Sequence, residues 1–270
     1  MKKHSDTLTG QEAYVRDHYR HHRLVAAARL LLFGALLLLW EVSADLGLID
    51  SFFFSSPVRV GKCFYSQLLY NDLCLHIGIT LLETILSFLL VMLLGLLPAI
   101  ALLFSKTLSE IAEPYLVILN SLPKSALAPL FIVWLGTGMK TIIVAGISVA
   151  IFGTIISFYT AFRQVDSDKL MLIATLGGTR RDAFLRVIFP ASLPILISTA
   201  KVNIGLSLVG VIIGEFLAAR RGLGYLIIYG TQVFQLDMVI TAIIILCVIA
   251  FCFYQLIQRI EHNCKKKYTL

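Results

Sequence analysis

Apolar residues come in long runs along this chain, separated by short polar stretches, and the runs alternate with neither a strand's period nor a one-sided helix's period. Leu24–Trp40, Thr80–Phe104, Leu116–Leu135, Thr141–Phe162, Ile195–Leu217 and Leu236–Ile257 are apolar nearly all round. At about 1.5 Å per helical residue, roughly 20 such residues cross a hydrocarbon core. Only segments that close their own backbone hydrogen bonds are stable there. The pattern therefore predicts an all-α integral membrane protein with six crossings. Within Asp45–Ile77, Ser55-Ser56-Pro57 can start a short helix with Pro57 at its first position. Pro123 and Pro129 remove backbone donors from the third run and should kink or break it. Gly136-Thr137-Gly138 makes a tight turn into the fourth, and Glu215–Tyr229 reads as a Gly-punctuated connection between the fifth and sixth.

One connection differs from the rest. Residues 166–194 form a polar and basic island between two apolar runs. Ser167 can cap a helix running through Leu176, with Asp166 and Asp168 favourable at its positive end. Leu170, Ile173, Ala174 and Gly177 share a face at i, i+3, i+4 and i+7, while Met171 and Leu172 make the flanks apolar too. Gly177-Gly178 stops this helix, and Thr179 opens another with Asp182 in the capping-box position. That second helix sets Ala183, Phe184, Val187 and Ile188 on one side and Arg180, Arg181 and Arg186 elsewhere, and Pro190 is expected to end it. A short helix that is apolar nearly all round, outside the bilayer, needs either a protein partner or the membrane surface to cover it. Periodicity leaves both open.

Composition agrees with a membrane bundle: 58% of the 270 residues are hydrophobic and 14% charged, and the mean hydropathy is +0.87. A soluble globule is excluded. The net charge of +7 does not point to nucleic acid, because the basic residues lie at the ends of the apolar runs. With the N-terminus inside, Lys2, Lys3, Arg16, Arg20, Arg23, Lys106, Arg163, Lys169, Arg180, Arg181, Arg186, Arg259, Lys265, Lys266 and Lys267 fall on one side. Arg59, Lys62, Lys140, Arg220 and Arg221 fall on the other. The positive-inside rule puts the larger set, the island and both termini in the cytoplasm. Arg220 and Arg221 are the awkward pair. Three parts follow: a cytoplasmic arm over 1–23, a six-helix membrane domain over 24–260, and a basic tail over 261–270. Val42-Ser43-Ala44 resembles a signal cleavage site, but the first run is long for a signal peptide and further membrane segments follow it, so a retained helix is expected. Cys63, Cys74, Cys247, Cys252 and Cys264 lack metal-type spacing and read mostly as small apolar fillers.

Ionisable residues within crossings are expensive in lipid and are functional candidates for that reason. Glu83, Lys124 and Lys201 are the clear cases, with Glu215 nearer an edge. Internal pairing, of Glu83 with Lys201 or Lys124, competes with direct contact to a transported solute. Lys124 follows Pro123 in a Pro-broken helix, where freed backbone groups can line a cavity, which makes it the first choice for a translocation path. No catalytic constellation emerges. Gly136-Thr137-Gly138-Met139-Lys140-Thr141 lacks the G-x-x-x-x-G-K spacing of a phosphate loop, and the histidines, mostly in the N-terminal arm, show no metal-ligand spacing.

Ala174-Thr175-Leu176-Gly177, followed by Arg186-Val187-Ile188-Phe189-Pro190-Ala191-Ser192-Leu193-Pro194, resembles the cytoplasmic "EAA" loop of binding-protein-dependent ABC importer permeases. The resemblance spans roughly Pro57 to Glu261. It includes Pro123 with Ala126, Pro129-Leu130, Trp134-Leu135-Gly136-Thr137-Gly138, and Glu215 with Gly222-Leu223-Gly224-Tyr225-Leu226, an order similar to the nitrate/sulfonate/taurine branch. It implies a six-helix type I importer permease fold in a bacterial inner membrane, with a coupling helix whose contact residues would be Leu170, Met171, Ile173, Ala174, Gly177, Arg180 and Arg181. It further implies cytoplasmic ATPase subunits that hold ATP and Mg, an extracytoplasmic binding protein and a second, identical permease chain. This chain itself would be non-catalytic and carry no cofactor. The implied cargo is a nitrate, sulfonate or taurine-like anion, with a pyrimidine-type vitamin precursor as the alternative. Two departures stand out. The family's Glu-Ala-Ala falls on Met171-Leu172-Ile173, and a family arginine early in the second crossing corresponds to Glu83. An ion-coupled secondary transporter using Glu83, Lys124, Lys201 or Glu215 is the competing class, but it would expect internal repeats, and none is evident between the two halves.

Overall fold

Helices form wherever the apolar runs lie, and the computed structural model, which describes residues 10–268, carries them past the ends that hydropathy sets. In chain order they are α1 (Gly10–Asp45), α2 (Ser51–Phe54), α3 (Pro57–Tyr70), α4 (Leu73–Phe104), α5 (Lys106–Ser121), α6 (Lys124–Leu135), α7 (Met139–Arg163), α8 (Ser167–Thr175), α9 (Arg180–Ala183), α10 (Phe189–Ala218), α11 (Leu223–Gln232) and α12 (Leu236–Tyr268). Residues 1–9 of the predicted arm and 269–270 of the predicted tail lie outside the described residues. Among the described residues, five helices have the length and apolarity to cross a membrane: Arg23–Asp45 of α1, α4, α7, the stretch Arg180–Ala218 and Leu236–Glu261 of α12. The pair α5 and α6, bent by 94°, makes a sixth when the two are counted as one broken span.

The chain divides into two compact units, Met1–Cys63 and Phe64–Leu270. In the first, the Glu41 carboxylate of α1 accepts from Ser56 Oγ at 3.1 Å and from the Val58 amide at 3.0 Å, capping the start of α3 where Pro57 has no N–H to offer. Trp40 Nε1 donates to the Phe54 carbonyl at 3.2 Å.

In the second unit α7 is central, packed between α4 and α10. Small residues set this spacing: a Cβ on Gly210 would lie 2.8 Å from Gly146 Cα and 2.9 Å from the Ala145 carbonyl oxygen. Hydrocarbon offers helices no hydrophobic drive to associate, so such close backbone approach and interhelical hydrogen bonds hold the bundle. The polar residues accordingly turn inward. Thr80, Glu83, Thr84, Ser87, Thr154, Asn203, Ser207 and Glu215 are buried, and Asn203 Nδ2 donates to Thr154 Oγ1 at 2.8 Å between α10 and α7.

The prolines behave differently from one another. Pro123 breaks the third run, capping α6 from an extended conformation, whereas Pro129 stays inside α6. Pro190 does not end the island's second helix, contrary to expectation. Residues Phe184–Ile188 form a wider π turn in which the Phe189 amide bonds the Phe184 carbonyl, and α10 continues with Pro190 in its first turn. The widened turn gives the proline ring the room that an α-helix would deny it. The Glu215–Tyr229 connection also contains a helix, α11, that local sequence did not signal.

Candidate functional site

The island is a rigid two-helix element. Asp166, not Ser167, caps α8, accepting from the Asp168 amide at 2.9 Å. At the other end Gly177, with φ +78°, turns the chain. The Gly178 amide reaches the Ile173 carbonyl at 2.9 Å and the Gly177 amide reaches that of Ala174 at 3.0 Å, a Schellman termination. Thr179 and Asp182 form the predicted capping box: the Thr179 amide donates to Asp182 Oδ2 at 2.9 Å, and the Asp182 amide returns to Thr179 Oγ1 at 3.3 Å.

Phe184 and Ile188 fasten this element to the bundle. They are buried in a cluster with Ala99 of α4, Phe158, Ala161 and Phe162 of α7 and Leu196 of α10. The Phe184 ring lies 5.7 Å from those of Phe104 and Phe162 and 5.9 Å from that of Phe189. Ser192 Oγ adds bonds to the Ile188 carbonyl at 2.8 Å and the Ala161 carbonyl at 3.2 Å.

Helix α8 is thereby split into two faces. Leu170 and Ile173 are half-buried and, with Ala174, Arg180, Leu103 and Phe104, line a cavity of about 440 Å³ between island and bundle. Met171, Leu172 and Leu176 are 67%, 59% and 75% exposed. The residues grouped by sequence thus separate. Leu170 and Ile173 face inward, Ala174 and Arg180 are exposed at the rim of that cavity, and Met171, Gly177 and Arg181 remain on the surface, joined there by Leu172 and Leu176.

The second cluster joins α4, α10 and the start of α11. Thr80 Oγ1 donates to Glu215 Oε1 at 2.7 Å and accepts from the Leu223 amide at 2.8 Å. Glu215 Oε2 accepts from the Gly224 amide at 2.5 Å. The side chain from α10 therefore caps α11, whose amides would otherwise be orphaned. Gly222 and Gly224 are glycines because the carboxylate occupies the space of a side chain: a Cβ on Gly224 would lie 2.8 Å from both Glu215 Cβ and Oε2. Glu83, 2% exposed, faces Glu215. His76 Nδ1 lies 3.0 Å from the Gly222 nitrogen, and its ring stacks on Tyr225.

Lys124 and Lys201 sit apart from this cluster, so neither pairs with Glu83. Lys124 Nζ donates to the Leu119 carbonyl at 2.7 Å and the Asn120 carbonyl at 2.5 Å, closing the last turn of α5 at the 94° bend. Lys201 makes an ion pair with Glu261 and lies 5.2 Å above the Tyr254 ring of α12. Sequence reasoning missed Thr80, His76 and Asn203. A signal for Thr80 existed: Thr80, Glu83, Thr84 and Ser87 recur at i, i+3, i+4 and i+7 within an apolar run, a polar seam on one helix face.

The family described as binding-protein-dependent transport system inner membrane component matches residues 91–266. A probable ABC transporter permease protein of Haemophilus influenzae is 34% identical over 236 residues, 87% of this chain and 95% of that protein. The putative aliphatic sulfonates transport permease protein SsuC of Bacillus subtilis is 29% identical over 220 residues, covering 82% of this chain and 80% of its own. The formylaminopyrimidine transport permease protein ThiX of Halalkalibacterium halodurans is 26% identical over 197 residues, 72% of this chain and 77% of its own. Among solved structures, the inward-facing MetNI methionine ABC transporter shares the fold, with a TM-score of 0.63 at 20% identity over 71% of this chain and 95% of that chain. A membrane bundle with a docked island, matched over most of its length by these permeases, identifies the chain as a member of the binding-protein-dependent transport system inner membrane components, the permeases of ABC transporters.

Proposed function

We propose that this chain is the membrane subunit of an ATP-driven importer and that its island receives the push of a separate cytoplasmic ATPase. The observation that carries this reading is the division of α8, with Leu170 and Ile173 held against the bundle while Met171, Leu172 and Leu176 stand uncovered. An apolar surface of that kind calls for a partner. ATP and Mg belong to the partner chains. Their closure presses on α8, the Schellman turn and capping box keep the island from folding away, and the Phe184 joint passes the displacement to α4, α7 and α10. An extracytoplasmic binding protein delivers the solute to the opposite end, and a second copy of this chain completes the pathway. The lysine and arginine distribution supports placing the island and both termini in the cytoplasm of a bacterial cell.

For the cargo, a small anion of the sulfonate, taurine or nitrate class is favoured by the lysine at the broken α5–α6 span, since ionisable groups in such breaks line solute pathways. Lys124, Pro123, Glu83, Lys201 and Glu215 remain the pathway candidates. A pyrimidine-type precursor is the second reading, favoured by the formylaminopyrimidine relative and by an acidic Glu83 where the family has an arginine.

Co-purification tests the coupling. With a tagged permease co-expressed with its ATPase, Leu172→Asp and Leu176→Asp should release the ATPase while leaving the permease melting temperature unchanged. Met171→Glu should weaken the complex, because it places a charge in an apolar contact. Full retention of the ATPase by both aspartate variants would refute the docking role. Mass spectrometry of the solute released from the cognate binding protein decides between anion and pyrimidine.

A further inference from the structure

Two buried carboxyl groups in contact inside a membrane bundle pose a chemical question, because two carboxylates cannot hydrogen-bond each other without a proton between them. Glu83 and Glu215 are 2% and 1% exposed, and their carboxyl groups lie close enough to interact. Among the described residues neither forms an ion pair with a lysine or arginine; Lys201 is engaged with Glu261 and Lys124 with backbone carbonyls.

The hydrogen-bond inventory tells the two apart. Glu215 has two donors aimed at it: the Thr80 hydroxyl and the Gly224 amide. Thr80 Oγ1 already accepts from the Leu223 amide, so its own hydrogen is committed to Glu215. Every one of these contacts suits an acceptor and opposes a carboxylic O–H. Glu83 has no such donors, and its Oε2 is buried without a partner. The other titratable or charged groups around the cluster are His76 on α4, Tyr225 on α11, and Arg221 and Asp72, which flank His76. From α7, Ile142 packs against Gly214, next to Glu215, and none of the buried residues of α7 is titratable.

We infer that Glu83 is a positioning residue that acts as a neutral carboxylic acid, donating its hydrogen bond to the Glu215 carboxylate and so clamping α4 to the N-terminus of α11. The clamp fixes the Gly222–Gly224 turn without any cation, where two like charges would otherwise push α4 and α10 apart. It holds regardless of which solute the transporter carries or which ATPase drives it, and its tests need neither.

The proposal is tested on the purified full-length permease. Glu83→Gln retains a donor of the same shape, so its melting temperature should stay within about 2 °C of the wild type. Glu215→Gln turns an NH2 group toward a donating hydroxyl or amide and should lower it by about 4 °C or more. Infrared spectra of the wild type near neutral pH should contain a protonated-carboxyl C=O band that disappears in Glu83→Gln, and the wild-type measurement does not depend on whether either variant folds. Absence of that band from the wild type overturns the proposal. So does a melting-temperature loss for Glu83→Gln as large as that for Glu215→Gln, or tolerance of Glu215→Gln alone.

Discussion

Replacing Phe184 by alanine should disconnect the island from the bundle without touching the surface it offers to a partner. Phe184 is 8% exposed and packs against Ala99, Phe158, Phe162, Ile188 and Leu196. Truncating a buried phenylalanine costs about 3–5 kcal/mol, part transfer and part cavity. Within that, the two closer ring pairs, both at 5.7 Å, contribute about 0.5–1.5 kcal/mol each. Phe184→Leu, which keeps most of the volume, should therefore lose only about 1–3 kcal/mol. The joint loosens in proportion, while Met171, Leu172 and Leu176 are unchanged. In a reconstituted complex, Phe184→Ala should retain its ATPase and keep hydrolysing ATP, but hydrolysis should no longer respond to loaded binding protein. Phe184→Leu should fall between the wild type and Phe184→Ala. Wild-type stimulation in Phe184→Ala would refute the role of this joint as the transmission point. Loss of the ATPase from that variant would refute the separation of docking face from anchoring face.

Two further outcomes follow from the membrane cluster and the broken span. Gly224→Ala places a methyl group 2.8 Å from Glu215 Cβ and Oε2, overpacking that costs about 1–3 kcal/mol; thermal unfolding should show the loss, while Gly205→Ala, where a Cβ meets nothing within 4 Å, should be silent. Lys124→Met removes the ammonium that closes the α5 carbonyls at the bend. It should cost about 1 kcal/mol of stability and reduce solute uptake far more than ATP hydrolysis, whereas an equal fall in both would assign Lys124 a purely structural task.

The island shows how far local rules reach. Its capping box and its Gly177-Gly178 stop are contacts among residues three to five positions apart, so the sequence carries them in full. The helix that continues through Pro190 was not legible, because it depends on a π turn whose residues Phe184 and Ile188 are held by side chains from α4, α7 and α10. The same holds for α11. Its cap comes from Glu215 and Thr80, the latter 143 positions from the Leu223 amide that it accepts, and no window around Gly222 contains it.

Hydropathy by itself determined the crossings, since a run of apolar side chains about the thickness of a bilayer has one stable answer in lipid. It also determined that Glu83, Lys124, Lys201 and Glu215 needed explaining, because charge in hydrocarbon is costly wherever it lies. Which partner each one took was decided by tertiary structure alone. Lys201 met Glu261, Lys124 met the carbonyls at its own helix break, and Glu83 met a second acid. The reason is physical: an apolar period specifies which face of a helix turns inward, but the rotation and offset between neighbouring helices are set by small residues such as Gly146 and Gly210, and only that offset brings two glutamates to one level.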